Sequence, residues 1–212
     1  ITCRDWSSDV CSSDLPLVLM SPFDWVRAPQ RLMQGISDYK GTLVWLPNFA
    51  YNFCATKIRA RHMEGVDLSS WRLVTNCSEP MRQDSQQLFL EAFQPYGFRE
   101  SALGTSYAMA ENTFAVTQGG VDNPVRIDPV DRDAVQTERI ARPAVEGQPA
   151  INMVSAGPPI PNTQVKVVDA DGNPLPERHI GELAVFSHCM LTEYYHRPDE
   201  TEKAFIDGWY LT

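Results

Sequence analysis

Tyr107 and Glu111 place an aromatic ring and a carboxylate four residues apart, in the run Ser106-Tyr107-Ala108-Met109-Ala110-Glu111. At a strand end, such a pair can serve one ligand, the ring by stacking and the carboxylate by holding a hard cation. Alone the spacing has little weight, because Tyr-x-x-x-Glu arises often by chance. A polar turn, Asn76-Cys77-Ser78-Glu79-Pro80, lies upstream, and Gly181-Glu182-Leu183 and Trp209-Tyr210-Leu211-Thr212 lie downstream. Other chemistries find no support. The chain has no Gly-x-x-x-x-Gly-Lys-(Ser/Thr), no Gly-x-Ser-x-Gly and no His-Glu-x-x-His. His62, His179, His188 and His196 lack metal-ligand spacing, and Cys54, Cys77 and Cys189 form no Cys-x-x-Cys, so neither a zinc site nor a disulfide framework is expected.

The elements that must position these residues read as strand and helix in turn. Leu17–Met20 is a short apolar run between prolines and predicts a buried strand. Pro29 opens a helix with Leu32, Met33, Ile36 and Tyr39 on one face, ended by Lys40-Gly41, and Thr42–Leu46 predicts a second buried strand. Strand, helix and strand with short links make a βαβ unit, hence a parallel sheet. Asn48 is placed to cap the next helix, with Phe49, Phe53 and Ile58 turned inward. Arg72–Thr75 predicts a third strand, and Pro80 a helix burying Met81, Leu88, Phe89, Ala92 and Phe93 before Pro95-Tyr96-Gly97 stops it. The Asn76–Pro80 turn therefore falls at the carboxyl end of a parallel strand, where open α/β sheets bind ligands. Ser106–Glu111 follows a strand and turn over 98–105 and leads into Thr113–Thr117.

Beyond Gly119 the chain turns polar, with a short strand expected at Val125–Ile127. Strands are then expected at Ile151–Ser155, Gln164–Val168 and Gly181–Phe186, the last two around a turn at Asp171-Gly172. The fold class expected is α/β, a parallel-sheet α/β subdomain over 16–120 followed by a small, mostly antiparallel β subdomain over 121–212. Residues 1–15 stand apart: Asp5 to Leu15 has neither helical nor strand period, lacks the basic and apolar regions of a secretory signal, and resembles translated sequencing adapter from about residue 3. A net charge of −9 argues against nucleic acid as partner. No apolar run approaches the roughly 20 residues that span a bilayer. Of the five cysteines, the three outside residues 1–15 are widely spaced, and a reducing cytoplasm is their simplest setting.

In their order and separation, the three stretches resemble the adenylate-forming (AMP-binding) superfamily of acyl-CoA synthetases, fatty-acyl-AMP ligases, luciferases and peptide-synthetase adenylation domains. Asn76–Pro80 is similar to that superfamily's Gly-Ala-Glu-Pro-type loop, whose backbone lies against adenine, with Cys77 where glycine is usual. Ser106–Glu111 is similar to its Tyr-Gly-x-(Thr or Ala)-Glu pattern, with Ala108 in place of glycine and Ala110 as in fatty-acyl-AMP ligases. The alanine at 108 bears on whether a positive φ is needed there. Tyr194, Pro198, Thr201 and Phe205 match a Gly-Tyr-x-x-x-Pro-x-x-Thr-x-x-x-Phe element in which Glu193 replaces the glycine, and Pro47-Asn48-Phe49-Ala50-Tyr51 looks like a run beside the acyl pocket.

The resemblance implies attack of a carboxylate, a fatty acid by preference, on the α-phosphorus of ATP, then transfer of the acyl group to the thiol of CoA or of a carrier protein's phosphopantetheine. It implies nucleotide contacts from Ser78, Glu79, Pro80, Ser106, Tyr107, Ala108, Met109 and Ala110, Mg²⁺ at Glu111, and an acyl pocket touching Asn48, Phe49, Tyr51 and Cys77. It also implies a Ser/Thr/Gly-rich phosphate loop, a ribose-binding aspartate and a catalytic lysine, none of which lies within the 212 residues. The expectation is a fragment of the large N-terminal domain that forms no acyl-adenylate by itself. The alternative is a naturally short, noncatalytic nucleotide-binding or interaction module.

Overall fold

Two helices each carry the chain from the end of one strand back to the start of the next, and a connection of that kind makes the strands parallel. In the computed structural model, which describes residues 16–120 and 124–212, β1 (Leu43–Pro47) leads through α3 (Asn48–Lys57) to β2 (Leu73–Cys77). From β2, α4 (Gln83–Phe93) leads to β3 (Leu103–Ala108), and β4 (Ala115–Gly119) folds back antiparallel, giving the order β1-β2-β3-β4. Two helices precede this sheet, α1 (Pro22–Arg27) and α2 (Gln30–Tyr39). The core between helices and sheet is aromatic. Phe89 lies 4.6 Å from Phe93, 4.9 Å from Tyr51 and 5.2 Å from Phe98 between ring centroids, and all four are buried. Each such ring contributes about 1.5–3 kcal/mol by leaving water.

Leu17–Met20 is not a strand. The run is irregular coil, with Leu19 half exposed, because the described residues offer it no strand to pair with and β1 forms the edge of the described sheet. The same edge position exposes Leu43 and Trp45, expected to be buried, and leaves Leu46 as β1's inward residue. In α2, Met33 and Ile36 are buried as expected, but Tyr39 is exposed, because Lys40 turns left-handed (φ 52°) and ends the helix under it. In α3 the buried face is Asn48, Ala50, Tyr51 and Cys54, whereas Phe49 is half exposed against Trp25. Pro80 does not open α4. The helix starts at Gln83, and its inner face is Ser85, Gln86, Phe89, Leu90 and Phe93, with Leu88 turned outward.

The second half of the chain is β-rich. Strands β7 (Thr163–Val168), β8 (Glu182–Ser187), β10 (Trp209–Leu211) and β9 (Phe205–Ile206) form an antiparallel sheet in the order β7-β8-β10-β9, with α5 (Pro198–Ala204) leading into β9. A separate pair joins β5 (Ile127–Asp131) to β6 (Ala150–Val154). The strand expected at Val125–Ile127 thus begins at Ile127 and runs through Pro129, whose carbonyl accepts from the Ala144 N–H at 3.0 Å. The Asp171-Gly172 turn forms inside a longer connection, where Asp169 Oδ1 accepts from the N–H groups of Asp171 (3.0 Å) and Asn173 (2.8 Å). The adapter-like residues 1–15 lie outside the described residues. Among the described residues, no helix is long and apolar enough to cross a membrane.

Candidate active site

Strands β2 and β3 are parallel neighbours with Val74 opposite Leu103, Thr75 opposite Gly104 and Asn76 opposite Thr105. Both therefore end at the same edge of the sheet, and the turn after Cys77 and the segment after Ala108 emerge side by side. This brings together two stretches separated by about thirty residues of sequence, at the sheet edge where open α/β folds bind ligands.

The turn is shaped by Ser78, whose φ of 70° lies in the left-handed region, while Cys77 completes β2 as a buried strand residue. Ser78, Glu79 and Pro80 are exposed, so the turn faces solvent. Asn48 holds the turn from beneath. It is the first residue of α3 and makes no capping bond. Instead its Oδ1 accepts from Asn76 Nδ2 and from the Arg82 backbone N–H, each at 3.0 Å, and its Nδ2 donates to Ser85 Oγ at 3.0 Å. The Phe49 backbone N–H adds a bond of 3.2 Å to Glu79 Oε1. Of the residues expected around an acyl pocket, Asn48 and Cys77 thus border the turn, Phe49 lies on the surface, and Tyr51 is in the core. The Tyr51 ring is wholly buried on Phe89 and its hydroxyl donates to Val74 O at 3.1 Å, and burial pushes its pKa well up.

On β3, Ser106 is buried and its hydroxyl donates to Thr117 O at 2.7 Å, while the Tyr107 N–H donates to Thr117 Oγ1 at 3.2 Å. The register slips between Tyr107 and Ala108, a bulge of the kind that re-aims side chains beside binding sites. Tyr107 is half-buried there. Ala108 lies in extended strand, so no glycine-like backbone is required of it; the positive φ falls on Thr113, at 63°. Met109 closes the loop through its N–H to Phe114 O at 2.8 Å, and exposed Ala110 opens a single 3₁₀ turn, Ala110–Asn112, that carries Glu111.

Glu111 is fixed by the second half of the chain. Its carbonyl accepts from the Leu191 N–H at 2.6 Å, and its Oε1 accepts from the Tyr194 hydroxyl at 2.9 Å. Tyr194 in turn lies 2.9 Å, oxygen to oxygen, from Tyr210. Thr113 Oγ1 donates to Cys189 O at 3.0 Å. The Tyr194…Phe205 run now has a physical reading. Thr201 Oγ1 accepts from the Tyr194 N–H at 2.9 Å, and the Phe205 ring packs edge-on against Tyr210 at 5.5 Å. Burial raises the Tyr210 pKa, helped by the bond to Tyr194 and the charge of Glu111. A cleft of about 660 Å³ opens beside the pair, lined by Tyr194, Arg197, Lys203 and Tyr210 among others.

No cluster of three or more His, Cys, Asp or Glu able to hold a metal occurs among the described residues. A lone carboxylate suits Mg²⁺ when the remaining ligands are water and phosphate oxygens, so Glu111 fits a cation brought in with a nucleotide rather than a cage of protein groups. Sequence reading missed the Tyr194–Glu111 bond. Tyr194 stood out within its own motif, but nothing local indicates a partner 83 residues away.

The AMP-binding enzyme family matches residues 13–195. The chain is 36% identical over 200 residues to the medium-chain-fatty-acid–[acyl-carrier-protein] ligase JamA of Moorena producens, covering 91% of this chain and 33% of that protein. It is 31% identical over 192 residues to the long-chain-fatty-acid–AMP ligase FadD32 of Mycobacterium marinum, covering 88% of this chain and 30% of that protein. Among solved structures, the fatty acyl-adenylate ligase from L. pneumophila in complex with acyl adenylate and pyrophosphate superposes with a TM-score of 0.86 at 32% identity, over 91% of this chain and 35% of that one. The chain spans about a third of the length of the relatives it matches.

Proposed function

The chain belongs to the AMP-binding enzyme family, and on that footing we propose that it is the adenine- and cation-binding segment of an ATP-dependent ligase that activates a fatty acid as its acyl-adenylate. One observation carries this reading: the Cys77 turn and the Glu111 segment leave adjacent parallel strands at a single sheet edge. The main chain of the exposed turn Ser78, Glu79 and Pro80 takes one face of the adenine and Tyr107 stacks on the base. Ser106, Ala108, Met109 and Ala110 shape the wall between base and phosphates. Residues 16–120 and 121–212 act as two subdomains, the second bracing Glu111.

In the reaction the acid's carboxylate attacks the α-phosphorus of ATP, the bond to the bridging oxygen breaks, and pyrophosphate leaves. An anion must approach a polyanion, so charge neutralisation is the main physical demand. Mg²⁺, when bound, screens the phosphate oxygens and orients the leaving group. Glu111 gives that ion a fixed protein ligand, and Asn48 holds the adenine turn rigid beneath the base. Asn48 and Cys77 place the acyl chain's entry beside the same turn, with Phe49 and Tyr51 behind it.

The acceptor is a phosphopantetheine thiol. The name of the Moorena producens relative, an [acyl-carrier-protein] ligase, favours a carrier protein over free CoA, and a cytoplasmic setting suits both. Incubating the complete ligase with ATP, Mg²⁺ and a medium- or long-chain acid, then offering CoA or a holo carrier protein, tests this by mass spectrometry. Acyl carrier protein as the dominant thioester supports the reading. Acyl-CoA alone overturns the choice of acceptor, and the absence of acyl-AMP and of both thioesters overturns the function.

A further inference from the structure

Glu111 belongs to the first half of the chain, but the groups that hold it belong to the second. We propose that Tyr194, braced by Tyr210, is a positioning residue that orients the Glu111 carboxylate for the cation, so that the β-rich half governs metal loading at the nucleotide site. This rests on the reading of Glu111 as the ligand of the nucleotide's cation.

The direction of the hydrogen bonds follows from chemistry. An ionised carboxylate only accepts, so the Tyr194 O–H must donate to Oε1. The Tyr194 oxygen then offers only lone pairs, so the Tyr210 O–H must donate to it. The chain thus runs one way, from Tyr210 through Tyr194 to Glu111, and leaves Oε2 with no hydrogen-bond partner among the described residues. One oxygen is anchored and the other is available to a cation.

The anchoring is separable from the backbone. Leu191 N–H to Glu111 O and Thr113 Oγ1 to Cys189 O fasten the 3₁₀ turn to the second half independently of any tyrosine. Tyr194 is seated by Thr201 Oγ1 at its own N–H, a bond that phenylalanine would keep. Tyr194→Phe therefore removes one hydroxyl and leaves the turn in place.

The test is Mn²⁺ binding to the complete ligase in the presence of α,β-methylene-ATP, followed by electron paramagnetic resonance, with α,β-methylene-ATP affinity in EDTA as control. Losing a hydrogen bond to a charged group predicts Mn²⁺ binding weaker by on the order of tenfold in Y194F, with nucleotide affinity in EDTA unchanged. Y210F, one bond further away, should weaken Mn²⁺ by only about twofold to threefold. The apparent Mg²⁺ requirement for adenylate formation should rise in Y194F while kcat at saturating Mg²⁺ recovers. If E111Q weakens Mn²⁺ but Y194F and Y210F do not, the positioning role is wrong and the functional reading stands. If E111Q leaves Mn²⁺ binding intact, the assignment of Glu111 itself is wrong. Equal loss of Mn²⁺ and EDTA-nucleotide binding in Y194F would mean that Tyr194 merely supports the fold, and this too overturns the proposal.

Discussion

Asn48 Oδ1 lies 3.0 Å from both Asn76 Nδ2 and the Arg82 backbone nitrogen, so a single buried amide joins the start of α3 to both ends of the turn between β2 and α4. The turn is thereby held by the core rather than by its own sequence.

Asn48→Ala would leave the buried Asn76 amide without its acceptor and remove the bond to the Arg82 N–H. A loss of about 1–3 kcal/mol in unfolding free energy is expected, measured by urea denaturation, together with weaker nucleotide binding. A change below about 0.5 kcal/mol, the level of an ordinary surface substitution, would contradict the role given to this residue.

Tyr51→Phe separates core from pocket. The substitution removes the hydroxyl's bond to Val74 O but keeps the ring on Phe89, so stability should fall by about 1 kcal/mol. In the proposed ligase, the KM for the fatty acid should not move. A severalfold rise in that KM would place Tyr51 on the acyl path.

Burial pushes the Cys54 thiol up to about 12, whereas Cys189 is exposed. Nucleophilic attack needs the thiolate, so iodoacetamide at pH 8 should alkylate Cys189 faster than Cys54 by on the order of a hundredfold or more. Peptide mapping by mass spectrometry reads the ratio. Comparable rates would mean that α3 does not pack as described.

The same burial sets an alkaline limit. Tyr51 and Cys54 both have folded-state pKa values raised above their unfolded ones, so their contribution is intact below the unfolded values, about 8.5 for a thiol and 10 for a phenol. It is lost as pH climbs towards the folded values, because the unfolded chain gives up its protons first. Unfolding free energy should therefore decline from about pH 8.5 upward, by at most about 1.4 kcal/mol per pH unit for each group. Cys54→Ala should flatten the first part of that decline; an unchanged profile would contradict the burial of the thiol.

Much of the candidate site's placement at the sheet edge was legible in the sequence because its signals are local. Apolar runs with intervening helical periods implied parallel strands, and parallel strands put the Cys77 turn and Tyr107 at one edge. What could not be read depended on partners. Leu17–Met20 has strand composition but no neighbour among the described residues, and Leu43 and Trp45 are exposed because β1 is an edge. α4 starts at Gln83 instead of Pro80, and its inner face carries Leu90 rather than Leu88. Asn48 has the type of a helix cap, yet the contacts available in the core made it a tie between elements. Positive φ settled on Ser78 and Thr113 rather than on Ala108, where glycine is missing from the motif. The Tyr194–Glu111 bond spans the two halves and has no local signal at all.

The account depends on a carboxylate at the sheet edge serving a cation and nucleotide together. Fatty-acid-dependent exchange of labelled pyrophosphate into ATP by the complete ligase, wild type against Glu111→Gln, measures this most directly. Exchange that requires the acid and falls by about a hundredfold or more in E111Q, as expected for loss of transition-state charge stabilisation, is the predicted result. Exchange undiminished in E111Q, or absent with every acid offered to the wild type, would contradict it.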